Sequence, residues 1–113
     1  MARIFLVEDD VCTQSLLKAI LRARSHEVVG IADSEEGAIA GILATKPELC
    51  LIDVHLSGTG LDVAEFILEN LGIPVIVMSG DDQPTLPIPF VLKPVKVDNL
   101  MLAIDRAWIA RSG

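Results

Sequence analysis

Apolar residues fall in two rhythms along this chain. Ile4-Phe5-Leu6-Val7, Val28-Val29-Gly30-Ile31, Leu49-Cys50-Leu51-Ile52, Val75-Ile76-Val77-Met78 and Phe90-Val91-Leu92 are short runs without a polar partner. Runs of that length predict strands, and the missing alternation predicts that the central ones are buried on both faces. Between them, apolar positions recur at three- and four-residue spacing. The first such stretch has Cys12, Leu16, Leu17, Ile20 and Leu21 on one face, with Gln14, Lys18 and Arg22 opposite. Ala38, Ile39, Ile42 and Leu43 make the second, Val63, Phe66, Ile67 and Leu71 the third, and Val97, Leu100, Met101, Ile104 and Trp108 the last. Each predicts an amphipathic helix. Asp33-Ser34 offers an N-cap to the second helix, Lys46-Pro47 stops it, and Gly72-Ile73-Pro74 closes the third.

Strands alternating with helices in this order imply right-handed βαβ units, hence an α/β fold with a parallel sheet covered on both faces. The carboxyl ends of all five strands then lie on one edge, where open sheets of this kind gather their ligands. Polar groups stand at four of those ends: Glu8-Asp9-Asp10, Asp53, Ser79-Gly80 and Lys93-Pro94. Only the connection between the fourth and fifth strands departs from the alternation. Asp81 to Pro89 holds three prolines, which forbid a regular helix there. No internal repeat, low-complexity tract or linker interrupts the chain, so residues 1–113 read as one domain.

Composition narrows the function more than the fold. With 51% hydrophobic residues among 113, the chain has ample material for a core. Its 16 acidic against 9 basic residues give a formal charge of −7, which argues against unaided binding to nucleic acid or an anionic membrane and favours a cation or a basic partner surface. The apolar runs are far shorter than the ~20 residues of a membrane span, and Met1-Ala2-Arg3 leads straight into a strand instead of a signal peptide; both point to the cytoplasm. Cys12 and Cys50 have neither metal-ligand nor redox spacing, and their apolar surroundings predict buried free thiols.

A lone Asp after an apolar run ordinarily begins a turn or caps a helix. Asp53 has company that changes this reading. Several carboxylates held together repel one another unless a cation intervenes, and a few hard oxygen ligands open to water suit Mg²⁺. A lysine ammonium and a serine hydroxyl suit phosphoryl oxygens. The remaining carboxylate, Asp53, can then act as a nucleophile and become an aspartyl phosphate.

Val7-Glu8-Asp9-Asp10, Leu51-Ile52-Asp53, Met78-Ser79-Gly80 and Lys93-Pro94 resemble, in order and approximate spacing, the signature of response-regulator receiver domains of two-component signalling. The resemblance covers nearly the whole chain. It implies a flavodoxin-like, doubly wound five-stranded parallel sheet with strand order 2-1-3-4-5, and the proline-rich tract stands where the family has its fourth helix. It implies Asp53 as phosphoacceptor and Glu8 and Asp9 as the acidic pair, with Asp9 the more direct Mg²⁺ ligand. His55 would offer its backbone carbonyl to the metal. Ser79 resembles the switch hydroxyl, Gly80 the small residue that leaves access to it, and Phe90 stands in place of the second switch residue. Lys93 is similar to the lysine that pairs with the acceptor or its phosphate, and Lys93-Pro94 to a bond that is usually cis in this family. For Asp10 the preferred reading is an N-cap of the first helix.

Three departures from the family pattern are visible. The loop after Asp53 is about one residue short, with Ser57 where proline is usual. Phe90 replaces the common Tyr. Ser79 and Lys93 are 14 positions apart, about two helical turns less than the family's spacing. The resemblance implies a domain that catalyses its own aspartyl phosphorylation and dephosphorylation, takes the phosphoryl group from a histidine kinase or a histidine phosphotransfer protein in a two-component or phosphorelay system, and signals by binding a downstream protein. The donor is expected near Asp53 against the first helix, at the basic stripe of Lys18 and Arg22. A receiver-like adaptor that binds without phosphorylation is the alternative. A haloacid-type phosphohydrolase wants a second carboxylate two residues after the nucleophile, and His55 stands there.

Overall fold

In the computed structural model, which describes residues 2–55, 60–80 and 88–112, the apolar runs pair side by side. The strands are β1 (Arg3–Val7), β2 (Glu27–Ala32), β3 (Leu49–Asp53), β4 (Val75–Ser79) and β5 (Phe90–Leu92). They form one sheet in the order β2-β1-β3-β4-β5, every pair parallel. The doubly wound α/β expectation holds. Four helices cover the sheet among the described residues: α1 (Val11–Ala23), α2 (Glu35–Thr45), α3 (Gly60–Phe66), which passes into a π turn over Ile67–Leu71, and α4 (Val97–Ser112). The predicted proline-rich loop falls largely on residues 81–87, outside the described residues; Ile88 and Pro89 lead into β5 without regular structure.

Because strand side chains alternate between faces, each central strand feeds two cores. Ile4, Leu6, Leu49, Leu51, Ile76 and Met78 point to one face and pack with Leu17 and Leu21 of α1 and Leu100 and Ile104 of α4. Phe5, Val7, Cys50, Ile52, Val75 and Val77 point to the other, against Ala38 and Ile42 of α2 and Val63, Ala64 and Ile67 at α3. Both faces are dry, which is why these runs carry no polar alternation.

Two helical faces differ from their sequence reading. On α1, Leu17 and Leu21 are buried, but Leu16 is 54% exposed and Cys12 is exposed as well. The apolar stripe is broader than the sheet it covers, and its flank faces solvent beside Lys93. On α3, Val63 and Ile67 leave either position 64 or position 66 to complete the inward stripe. The small Ala64 takes it, and Phe66 is 40% exposed. Cys50 is buried as expected, and burial pushes its thiol up to about 12. Among the described residues no helix is long and apolar enough to cross a membrane.

Candidate functional site

The carboxyl edge of the sheet collects the acidic groups because β1 and β3 are neighbours in register. Val7 pairs with Ile52, so Glu8, the next residue, leaves β1 at the level at which Asp53 ends β3. The side-chain oxygens of Glu8, Asp9 and Asp53 come within 4.8 Å of one another. Glu8 is fully buried and Asp53 is 4% exposed, whereas Asp9 faces solvent. Asp10 does not join them. Its carboxylate caps α1, accepting from the Thr13 amide at 2.8 Å and the Thr13 hydroxyl at 2.6 Å, and these bonds hold its pKa below the usual carboxylate value.

Lys93 enters from the end of β5 and bridges the two buried carboxylates. Its Nζ donates to Glu8 Oε1 at 2.8 Å and to Asp53 Oδ2 at 3.0 Å. β5 lies beside β4, and the Lys93 amide donates to the Ser79 carbonyl at 2.7 Å, which fixes where the side chain leaves the sheet. The Lys93-Pro94 peptide bond is cis. The other oxygen of the acceptor, Asp53 Oδ1, receives the His55 amide at 3.0 Å. Asp53 therefore has both oxygens engaged, one by backbone and one by a cation.

These contacts divide the protons unequally. Burial raises the pKa of Glu8, and its bonds to Lys93 and to the Asp10 amide do not cancel that rise. Burial pulls Asp53 the same way, but the His55 amide and Lys93 outweigh it, so its pKa falls below the ordinary aspartate value. Burial would lower Lys93, yet bonds to Glu8 and Asp53 raise it above the usual lysine value. One ammonium faces three carboxylates, so the cluster keeps a negative surplus. Hard oxygen donors with a surplus charge and one solvent-facing member fit a divalent cation such as Mg²⁺.

The remaining residues singled out in the sequence lie around this centre. Ser79 is buried at the end of β4, and the Met78 carbonyl before it accepts from the Val54 amide at 2.9 Å, which ties the end of β3 to β4. Gly80 is exposed, and a Cβ built there meets nothing within 4 Å. Phe90 is half-buried at the start of β5, packed on the same core cluster as Ile88. His55 is exposed beyond Asp53. Residues 56–59, which include Ser57, lie outside the described residues.

Lys18 and Arg22 do not flank the site. α1 starts at the acidic edge and runs away from it, so at 1.5 Å per residue Arg22 is about 18 Å from the Asp10 cap. Both line a depression of about 420 Å³ with Ser25, His26, Glu27 and Val28 at the opposite edge of the sheet. Beside Lys93 instead is a groove of about 390 Å³ lined by Thr13, Leu16, Leu17, Pro94 and Val95. Two contributors escaped the sequence reading. Gln14, assigned to the solvent face, is half-buried and donates to the Glu8 carbonyl at 2.6 Å. Its signal was a long amide side chain one turn into the helix that follows an acidic strand end. Gly60 presses on the backbone of Asp53 and Val54, a role that a glycine in a Gly-containing loop does not announce.

Known proteins resemble this chain in sequence and in fold. The sequence profile of the response regulator receiver domain matches residues 4–105. The sensory transduction protein BceR of Halalkalibacterium halodurans is 30% identical over 114 aligned residues, covering 93% of this chain and 49% of its own length. The chain thus spans about half the length of curated relatives it matches. In structure, the response regulator PhyR from Brucella abortus superposes with a TM-score of 0.87 at 28% identity, over 98% of this chain and 49% of PhyR. The signal receiver domain of a modulated diguanylate cyclase from Desulfovibrio desulfuricans G20 gives a TM-score of 0.88, over 99% of this chain and 97% of that one; at 23% identity it speaks for the fold alone. With the fold, the strand order and the profile in agreement, the chain belongs to the response-regulator receiver domain family of two-component signalling.

Proposed function

We propose that residues 1–113 form one receiver domain whose Asp53 accepts a phosphoryl group from a phosphohistidine on a histidine kinase or phosphotransfer protein. The observation that carries this reading is the Lys93 ammonium shared between Glu8 and Asp53 at 2.8 and 3.0 Å. It keeps Asp53 ionised, and hence nucleophilic, inside a buried acidic cluster. An oxygen of Asp53 attacks phosphorus, the bond from phosphorus to the donor imidazole nitrogen breaks, and the imidazole leaves with the electron pair. The His55 amide orients the carboxylate during attack, and Lys93 is placed to follow the charge onto the phosphoryl oxygens. Glu8, Asp9 and Asp53, with the backbone carbonyl of His55, are the groups that would hold Mg²⁺. Bound there, the ion supplies charge neutralisation between the carboxylates and the phosphoryl oxygens.

The donor docks in the groove between α1 and the Lys93-Pro94 turn, where Leu16 is 54% exposed. Ser79 is the hydroxyl that moves toward the phosphoryl group, with room left at Gly80, and Phe90 changes its packing as β5 responds. A cytoplasmic protein target reads that change, in a two-component or phosphorelay pathway. The surplus negative charge speaks against a direct nucleic-acid ligand. Incubation with acetyl phosphate, with and without Mg²⁺, followed by intact mass, tests the reading. One phosphoryl adduct that requires Mg²⁺ and is absent from Asp53→Asn is the expected result. No adduct would leave the phosphorylation-independent adaptor as the better reading, and an adduct that persists in Asp53→Asn would move the acceptor.

A further inference from the structure

We propose that Gly60 is a positioning residue for phosphoryl transfer: the lack of a side chain at the start of α3 lets the helix press on the Asp53–Val54 peptide and so fixes the acceptor carboxylate. Gly60 is buried, and a Cβ built on it would stand 2.7 Å from both Val54 C and Val54 Cα and closer still to the Asp53 carbonyl oxygen. All three neighbours are backbone, and backbone cannot rotate aside as the end of a side chain can. On its other side the same peptide is fixed by the Val54 amide, which donates to the Met78 carbonyl at 2.9 Å. The peptide is thus clamped between β4 and α3. One residue further on, the His55 amide donates to Asp53 Oδ1 at 3.0 Å, so the backbone that Gly60 presses on also sets the plane of the carboxylate. That plane carries Oδ2 to its 3.0 Å contact with Lys93.

A methyl group at position 60 must push this backbone away from the helix. Ordinary contact begins near 3.4 Å, so the displacement is several tenths of an ångström at least, directed along the segment that holds the nucleophile. Misplacement on that scale costs reaction geometry more than it costs a core. Two other glycines give the contrast. At Gly80 a Cβ meets nothing within 4 Å, and at Gly41 its three nearest neighbours are all atoms of the Phe5 ring, a side chain and not the backbone of the acceptor.

The inference rests on the proposed phosphoacceptor role of Asp53, and the test separates the two. Wild type, Gly60→Ala and Gly41→Ala are compared for the rate of acetyl phosphate labelling, apparent Mg²⁺ dissociation constant by calorimetry, melting midpoint and the amide NMR signal of His55. We expect Gly60→Ala to label at least tenfold more slowly at saturating donor, to bind Mg²⁺ more weakly and to shift the His55 amide, while Gly41→Ala loses stability without any of the three. Equal slowing in both variants would reduce Gly60 to a structural role and overturn the proposal, as would wild-type labelling in Gly60→Ala. If wild type takes no label, the acceptor assignment fails by itself. The His55 amide then decides for Gly60: a shift confined to Gly60→Ala keeps the clamp, and none removes it. A Gly60→Ala chain that stays unfolded even in sucrose would also count against the proposal, since the clash would then belong to the whole fold.

Discussion

The two edges of this sheet are built from similar residues on opposite terms. At the carboxyl edge the carboxylates of Glu8, Asp9 and Asp53 crowd together, and the two buried ones share a single ammonium. At the amino edge charged and polar groups meet partners that satisfy them. Arg3 sends its guanidinium to the carbonyls of Thr45 and Lys46 at 2.9 and 3.0 Å, and its amide donates to Glu48 Oε1 at 3.0 Å. Ala2 donates to His26 Nδ1 at 3.0 Å. α2 has no basic residue in its last turn, so Arg3, arriving from β1, supplies both the hydrogen bonds and the positive charge that its orphan carbonyls lack. Repulsion among buried carboxylates costs stability and keeps a site ready for a cation and a phosphoryl group; paired groups at the other edge stabilise the fold that holds it.

This contrast predicts that substitutions at the two edges separate activity from stability. Asp53→Asn should abolish the phosphoryl adduct while its melting midpoint stays close to wild type, because the amide gives up the ion pair with Lys93 but relieves repulsion with Glu8 and Asp9 and keeps an acceptor for the His55 amide. Arg3→Ala should do the reverse. Losing two charge-assisted bonds at a helix end costs about 1–2 kcal/mol, or several degrees in midpoint for a chain of this size, with labelling within about twofold of wild type. A stable Arg3→Ala, or an Asp53→Asn that melts well below wild type, would break the comparison.

A smaller effect comes from the middle of the sheet. The Phe5 ring fills the space of two missing side chains: a Cβ on Gly30 would lie 2.6 Å from its Cε2, and one on Gly41 would lie 2.5 Å from its Cζ. The ring cannot retreat from one without meeting the other. Gly41→Ala gains about 0.5–1 kcal/mol of helix propensity and loses about 1–3 kcal/mol to overpacking, for a net loss of about 1 kcal/mol. Phe5→Leu in the same chain should recover most of it, measured by denaturant midpoint. No recovery would mean that the glycine matters for backbone reasons alone.

What the sequence made legible follows from how each feature is encoded. Strand runs such as Val75-Ile76-Val77-Met78 declare themselves because burial on both faces leaves no polar alternation, and the parallel order follows from the intervening helices. The meeting of Glu8, Asp53 and Lys93 was legible because a parallel sheet sends all strand ends to one edge. Facts that depend on the rotation of a helix were not. Cys12, Leu16 and Phe66 fit an apolar stripe by spacing, yet the sheet is too narrow to cover the full stripe, and only packing decides which member stays outside. Lys18 and Arg22 were placed by face without regard to distance along the axis, and a helix of 13 residues carries its later turns away from the site. Gln14 and Gly60 act through backbone contacts between elements, which no periodicity encodes.

The smallest expected effect is a pH dependence confined to the amino edge. His26 Nδ1 accepts the Ala2 amide, so the bond requires a neutral ring. Burial lowers the His26 pKa from 6.5, the amino-terminal charge adds to that, and Asp105 partly opposes it. A histidine that prefers to stay neutral in the folded state contributes stability that is present above its unfolded pKa and is lost as pH falls through the folded one. The window therefore opens near pH 6.5 and extends downward. The two buried carboxylates of the carboxyl edge titrate in opposing senses. Glu8, raised chiefly by burial, contributes stability at acid pH that is lost as pH rises, whereas Asp53, lowered by the His55 amide and Lys93 against burial, contributes stability at higher pH that is lost on acidification. Comparing wild type with His26→Asn cancels both, since Asn keeps an acceptor for the Ala2 amide and carries no proton to titrate. The two proteins should differ in midpoint by a constant amount above pH 6.5, and the wild type should then fall relative to the variant as pH drops below it, by less than the loss from Arg3→Ala. Parallel curves through that window would show that the Ala2–His26 bond is not pH-linked.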